Sequence, residues 1–139
     1  MNDLHQLKQA TEAAYQAEQA KLRDVLRQEA DLRHALVDLD EKRRAARALP
    51  ADQWAAPRAI GADMLWQGWT QRSRQDLNVQ LAQVLVSKAE KMAALTQTFG
   101  RAEVVSALLE QQKAARRKSA LGRDQRAVED LALLRSYKS

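Results

Sequence analysis

No cysteine occurs anywhere in the chain. That excludes a disulfide framework and a thiolate metal site, and implies a reducing compartment or indifference to redox state, with the cytoplasm as the default expectation. Turn formers are scarce as well, with two prolines and four glycines in 139 residues. A sheet needs a turn every few residues, so none is expected. Aromatic residues make up 4% of the sequence although 45% of it is apolar. The apolar content is therefore alanine and leucine, which suits long helices better than a bulky core.

Chemistry is missing too. His5 and His34 are far apart and neither has a second ligand at chelating spacing, so no metal site is expected. The glycines are scattered and form no phosphate-binding loop. Carboxylates are plentiful, but on solvated helices nothing would raise one into an acid for catalysis. The chain reads as a non-enzyme without a cofactor. No window approaches eighteen consecutive apolar residues, and Met1 to Ala10 lacks a basic segment leading into an apolar one. Neither a membrane span nor a secretory leader is expected.

What is present is helical period. From Asp63 to Glu110, Trp66, Trp69, Ser73, Leu77, Leu81, Val84, Lys88, Met92, Leu95, Phe99, Ala102, Ser106 and Leu109 recur at steps of three or four. On a helix these form one stripe, too narrow for a globular core and suited to a coiled-coil seam. An earlier stretch carries a matching seam of Leu4, Leu7, Thr11, Ala14 or Tyr15, Glu18, Leu22, Val25, Glu29, Leu32, Leu36, Leu39, Arg43 and Ala46. From Leu22 onward its steps alternate strictly, while before Leu22 the count fits only with one extra four-residue step near Thr11 to Tyr15, a stutter that locally unwinds the supercoil. Glu29 and Arg43 are unusual in a seam. Either they snorkel to water from a thin interface or they face another protein. Asp38, Asp40 and Glu41 precede Lys42, Arg43, Arg44 and Arg47, an order that suits the macrodipole at a helix end.

Pro50 stops the first helix by removing a backbone donor and crowding the preceding turn. Pro57 and Gly61 follow, so Leu49 to Ala62 reads as the connection, with a short helical turn at Asp52 to Ala56 around Trp54. Asn2 or Asp3 caps the first helix and Asp63 the second, or else the second starts near Pro57. Gly68, Gly100 and Gly122 weaken the second helix by about 1 kcal/mol each without ending it. The expectation is an all-α, single-domain antiparallel coiled-coil hairpin: helix 1 over about 3–48, connection over about 49–62, helix 2 over about 63–135. With Leu49 near Ala62, Leu4 falls opposite Ala107. Residues beyond about Glu110 then have no companion.

Charge marks the same boundary. Residues 1–49 hold nine basic and nine acidic side chains, and residues 50–110 hold six of each. Residues 111–126 hold Lys113, Arg116, Arg117, Lys118, Arg123 and Arg126 against Asp124 alone, and 127–139 hold two of each sign. The whole net charge of +5 sits in that one block. Six cations could engage phosphates, but no aromatic side chain interleaves with them to stack bases, so nucleic acid is an alternative reading. A homodimer whose seams pair between chains is another. A membrane-surface role lacks a tryptophan or phenylalanine anchor in this segment.

Two unequal helices, a tryptophan-bearing tip and a glutamine- and arginine-rich C-terminal half resemble the FliJ family of flagellar type III export stalk proteins and its injectisome counterpart, YscO. The likeness rests on Met64-Leu65-Trp66-Gln67-Gly68-Trp69-Thr70, on Val105-Ser106-Ala107-Leu108-Leu109-Glu110-Gln111-Gln112-Lys113, and on the basic Ala114-Ala115-Arg116-Arg117-Lys118 with the mixed tail after it. It spans essentially the full length, in low-complexity sequence. The resemblance implies a coiled coil, monomeric alone, like the central stalk of rotary ATP synthases. Such a stalk enters the hexameric ring of the FliI-like export ATPase, promotes its assembly and turnover, contacts the FlhA-like export gate and helps recycle export chaperones at the cytoplasmic face of the apparatus. By that resemblance Leu131, Leu133 and Leu134 would sit in the ring's sleeve, with Lys113, Arg116, Arg117, Lys118, Arg123 and Arg126 facing its inner surface. Trp66, Trp69, Thr70, Ser73 and Leu77 would meet the gate, although Leu77 stands where the family is polar.

Overall fold

The computed structural model describes residues 2–48 and 57–138. Two helices account for them: α1, Asn2–Arg47, and α2, Pro57–Lys138. No strand occurs among the described residues, so the all-α expectation holds. The expected connection is shorter than the sequence suggests, because α2 begins at Pro57 and not at Asp63. A first-turn proline loses nothing there, since its missing N–H is one of the amides a helix start leaves unbonded. Asp63 is not a cap. It lies inside α2, where its Oδ2 accepts a hydrogen bond from Gln67 Nε2 at 3.1 Å. α2 also runs on to Lys138, past the expected end near 135. At the other terminus α1 starts at Asn2 and holds Asp3 in its first turn. The Pro50 stop, Trp54 and the turn expected at Asp52 to Ala56 lie outside the described residues; the last described turn has Ala48 N donating to Arg44 O at 3.0 Å.

The glycines inside α2 interrupt nothing. None has a positive φ, and a Cβ placed on Gly100 would meet no atom within 4 Å. Gly100→Ala therefore removes backbone freedom from the unfolded chain at no steric cost. It should raise stability by about 0.5–1 kcal/mol, read from urea unfolding followed by circular dichroism.

The chain divides into two compact units, and each takes residues from both helices. One comprises residues 17–95. There the two helices run antiparallel, with Glu29 of α1 meeting Lys88 of α2 and, further along α1, Asp40 meeting Arg74. Its most buried side chains are Val25 and Leu39, each 6% exposed, and Thr70 at 1%. The other comprises residues 1–16 and 96–139. Its core is Val105 and Leu109, and Tyr15 packs on Phe99 with ring centroids 5.6 Å apart and planes tilted by 52°, an arrangement that satisfies the ring quadrupoles.

Burial corrects the seam by single residues. In α1, Leu7 is 47% exposed while Lys8 is half-buried. With Lys8 in place, the series Leu4, Lys8, Thr11, Tyr15, Glu18, Leu22, Val25, Glu29, Leu32, Leu36, Leu39, Arg43 and Ala46, each buried or half-buried, alternates in fours and threes throughout, with Gln19, Ala35 and Asp40 half-buried beside it. α1 therefore has no stutter. In α2 the covered positions are Thr70, Lys91, Thr98 and Val105, where the sequence offers Trp69, Met92, Phe99 and Ser106; Ser106 is half-buried beside Val105. Trp69, Met92 and Phe99 are roughly half exposed, at 53%, 51% and 48%. The extra four-residue step that a local unwinding requires lies in α2, from Ser73 through Leu77 to Leu81.

Glu29 neither snorkels freely nor faces a foreign partner. Lys88 Nζ donates to its Oε2 at 3.0 Å and its Oε1 at 3.3 Å, and Arg33 Nη2 donates to Oε1 at 3.2 Å. The hydrogen bond from Lys88 is the main reason the carboxyl titrates below its ordinary range; desolvation opposes it, and the hydrogen bond from Arg33 and the charges of both cations add to the lowering. A folded-state pKa below the unfolded one contributes stability above the unfolded value, and that contribution is lost as pH falls through the folded value. Wild type should therefore melt above Glu29→Gln at neutral pH, with the gap closing on acidification below the ordinary carboxylate range. A gap independent of pH would remove the ion pair from the account.

Candidate functional site

Packing ends within the unit that holds both chain termini. Leu109 is 3% exposed and Gln112 is half-buried, and these are the last covered positions of the α2 seam. From Lys113 to Lys138 every residue is exposed except Gly122, yet the helix continues unbroken. The expected boundary near Glu110 thus lies about one turn further on.

The site residues of this segment all point to solvent. Lys113, Arg116, Arg117, Lys118, Arg123 and Arg126 are exposed, and among the described residues only Lys113 of these pairs with an anion, Glu110 Oε1 at 3.8 Å. Like charges three and four apart oppose the helix by a few tenths of a kcal/mol per pair. Lys113 with Arg116 and Arg117, and Arg123 with Arg126, stand at that spacing and therefore hold repulsive free energy that an acidic surface would release. Beyond them Leu131 and Leu134 are each 60% exposed, and Leu133, Leu134 and Tyr137 form a shallow apolar notch beside Asp130. A lone helix of this composition is marginal in water without something packed on it.

The five residues expected at the start of α2 divide between two directions. Thr70 is the most buried side chain of its unit, and its hydroxyl donates to the Gln67 carbonyl at 2.9 Å. Trp66, Ser73 and Leu77 are half-buried on the α1 side. Trp69 alone is open, at the edge of a groove of about 340 Å³ that it shares with Ala35, Leu39, Ser73 and Leu77. A partner approaching from outside thus meets Trp69 first. It also meets Met64 and Leu65, 69% and 75% exposed. Periodicity overlooks these two because they fall off the seam, although two bulky apolar residues on an outward face are themselves a signal.

At the same end of the unit, Arg43, Arg44, Arg47 and Arg74 line one cleft with Asp40. Arg43 and Arg47 also line a second, with Ala46, Asp63, Trp66, Gln67 and Gln71. The sequence presents Arg43, Arg44 and Arg47 as a helix-end charge run, and Arg43 also as an unusual seam residue, but their convergence with Arg74 of α2 is a tertiary fact.

No group of three or more metal-ligating side chains occurs among the described residues, and no described helix is long and apolar enough to cross a membrane. Comparisons with protein-family models, curated proteins and solved structures found no match.

Proposed function

We propose that the chain is a non-enzymatic stalk of a type III protein export apparatus, flagellar or injectisome, of the FliJ-like kind. In this reading the uncovered part of α2 enters the hexameric export ATPase at the cytoplasmic face and promotes ring assembly and turnover. The start of α2 serves the export gate, and export chaperones are further partners. One observation carries the reading: α2 continues as helix from Lys113 to Lys138 with no part of α1 over it, and that stretch includes the entire net charge. The paired part is then scaffold, and the uncovered part is the element that a ring of subunits orders.

Adding the purified protein to its export ATPase should raise ATP hydrolysis and shift the ATPase toward hexamers. No change in either would refute the reading. A homodimeric coiled coil is the rival from a different class, favoured by the same uncovered Leu131, Leu133 and Leu134. Light scattering separates the two, with a single-chain mass expected. The basic nucleic-acid reading fails if no gel shift appears at low salt.

A further inference from the structure

We infer that the cleft between the end of α1 and the start of α2 is an anion-recognition site for an acidic peptide segment, and that Arg43 and Arg47 receive its carboxylates beside the Trp66 ring. The site goes beyond the stalk reading and does not depend on it.

Its geometry follows from an unusual seam position. Ala46 sits in the α1 seam, where a single methyl leaves the space next to Trp66 unfilled, and the result is a cleft of about 220 Å³ walled by Arg43, Arg47 and Trp66. Arg43 and Arg47 are one turn apart on a helix, so both guanidinium groups reach the same opening. A second cleft of about 270 Å³ shares Arg43 and Arg47 with it and is bounded also by Asp40, Arg44 and Arg74.

The charges there are uneven. Asp40 is engaged by Arg74 at 3.8 Å, and the Asp63 carboxylate accepts from Gln67. Arg43, Arg44 and Arg47 make no ion pair among the described residues. Arginines ending a helix suit its dipole from any outward direction. Arg43 and Arg47 instead converge on a cleft with an indole in its wall, and Arg43 does so half-buried. A planar guanidinium binds carboxylates through two parallel N–H donors, which gives orientation as well as attraction. Successive carboxylates of an acidic segment match the row Arg43, Arg44 and Arg47, with Trp66 accommodating the stems between them.

The test uses the full chain with Trp54→Phe and Trp69→Phe, so that Trp66 is the one tryptophan left to excite selectively, titrated with a blocked tetraglutamate peptide at low salt. A saturable change in Trp66 emission is expected, weakened at least tenfold by the pair Arg43→Ala and Arg47→Ala with helix content unchanged. Full-length protein with Lys113, Arg116, Arg117 and Lys118 changed to Gln should bind the peptide as before. Three results overturn the proposal: no saturable response, equal binding after the Arg43/Arg47 change, or loss of binding after the Lys113 to Lys118 change. Inorganic phosphate bound more tightly than the peptide at Arg43 and Arg47 would also overturn the assignment to an acidic peptide.

Discussion

Replacing Leu109 by alanine lowers the unfolding free energy by about 2–5 kcal/mol, while the same change at Leu134 leaves it within about 0.5 kcal/mol of wild type. The two leucines lie on one helix, and only their surroundings differ. Leu109 is 3% exposed at the last tightly packed seam position, so truncation leaves a cavity that the facing α1 residues cannot fill. Leu134 is already 60% in water, so truncation removes little burial. Urea unfolding of both variants, followed by circular dichroism, measures the contrast. Equal losses would mean that the C-terminal stretch packs on the protein and is not free for a partner. In the functional assay the order should reverse, with Leu134→Ala weakening association with the ATPase although its fold is intact.

Neutralising the basic block, with Lys113, Arg116, Arg117, Lys118, Arg123 and Arg126 all changed to Gln, should lower affinity for the ATPase at least tenfold at low salt. It should also flatten the dependence of that affinity on ionic strength. Attraction between exposed charges is screened over about 10 Å at 0.1 M salt, so association that relies on this block must weaken as salt rises. Stability should change little or rise slightly, because the substitution removes like-charge repulsion along one exposed helix. Titration of each protein into the ATPase at several salt concentrations separates the outcomes. Unchanged affinity and unchanged salt slope would show that the net charge serves solubility alone.

The architecture was legible because its signals are one-dimensional. Heptad spacing, the two prolines and the scarcity of other turn formers require only the sequence. The end of pairing near Glu110 followed from helix lengths alone and came within a turn. Single seam positions were not legible, for a physical reason. A period near 3.5 laid on a helix of 3.6 residues per turn leaves adjacent residues competing for the interface. At Trp69 against Thr70, Met92 against Lys91 and Phe99 against Thr98, the bulkier side chain attracts the assignment. The interface instead takes the smaller or the longer and more flexible one, and the bulky neighbours lie at its edge. The imagined stutter in α1 arose in the same way, from preferring Leu7 to Lys8. Glu29 was recognised as anomalous, but its partner is 59 residues away in sequence, and no local pattern specifies Lys88. The arginine cleft was hidden for the same reason, since Arg43 and Trp66 belong to different helices.

The central claim is that the uncovered end of α2 acts on an export ATPase. Hydrolysis by that ATPase should be titrated with the full-length protein and, in parallel, with a chain ending at Gln112. Full-length protein should raise the rate in a saturable manner, and the chain ending at Gln112, folded by circular dichroism, should leave the rate at its basal value. Equal stimulation by both chains, or none by the full-length protein, would contradict the account.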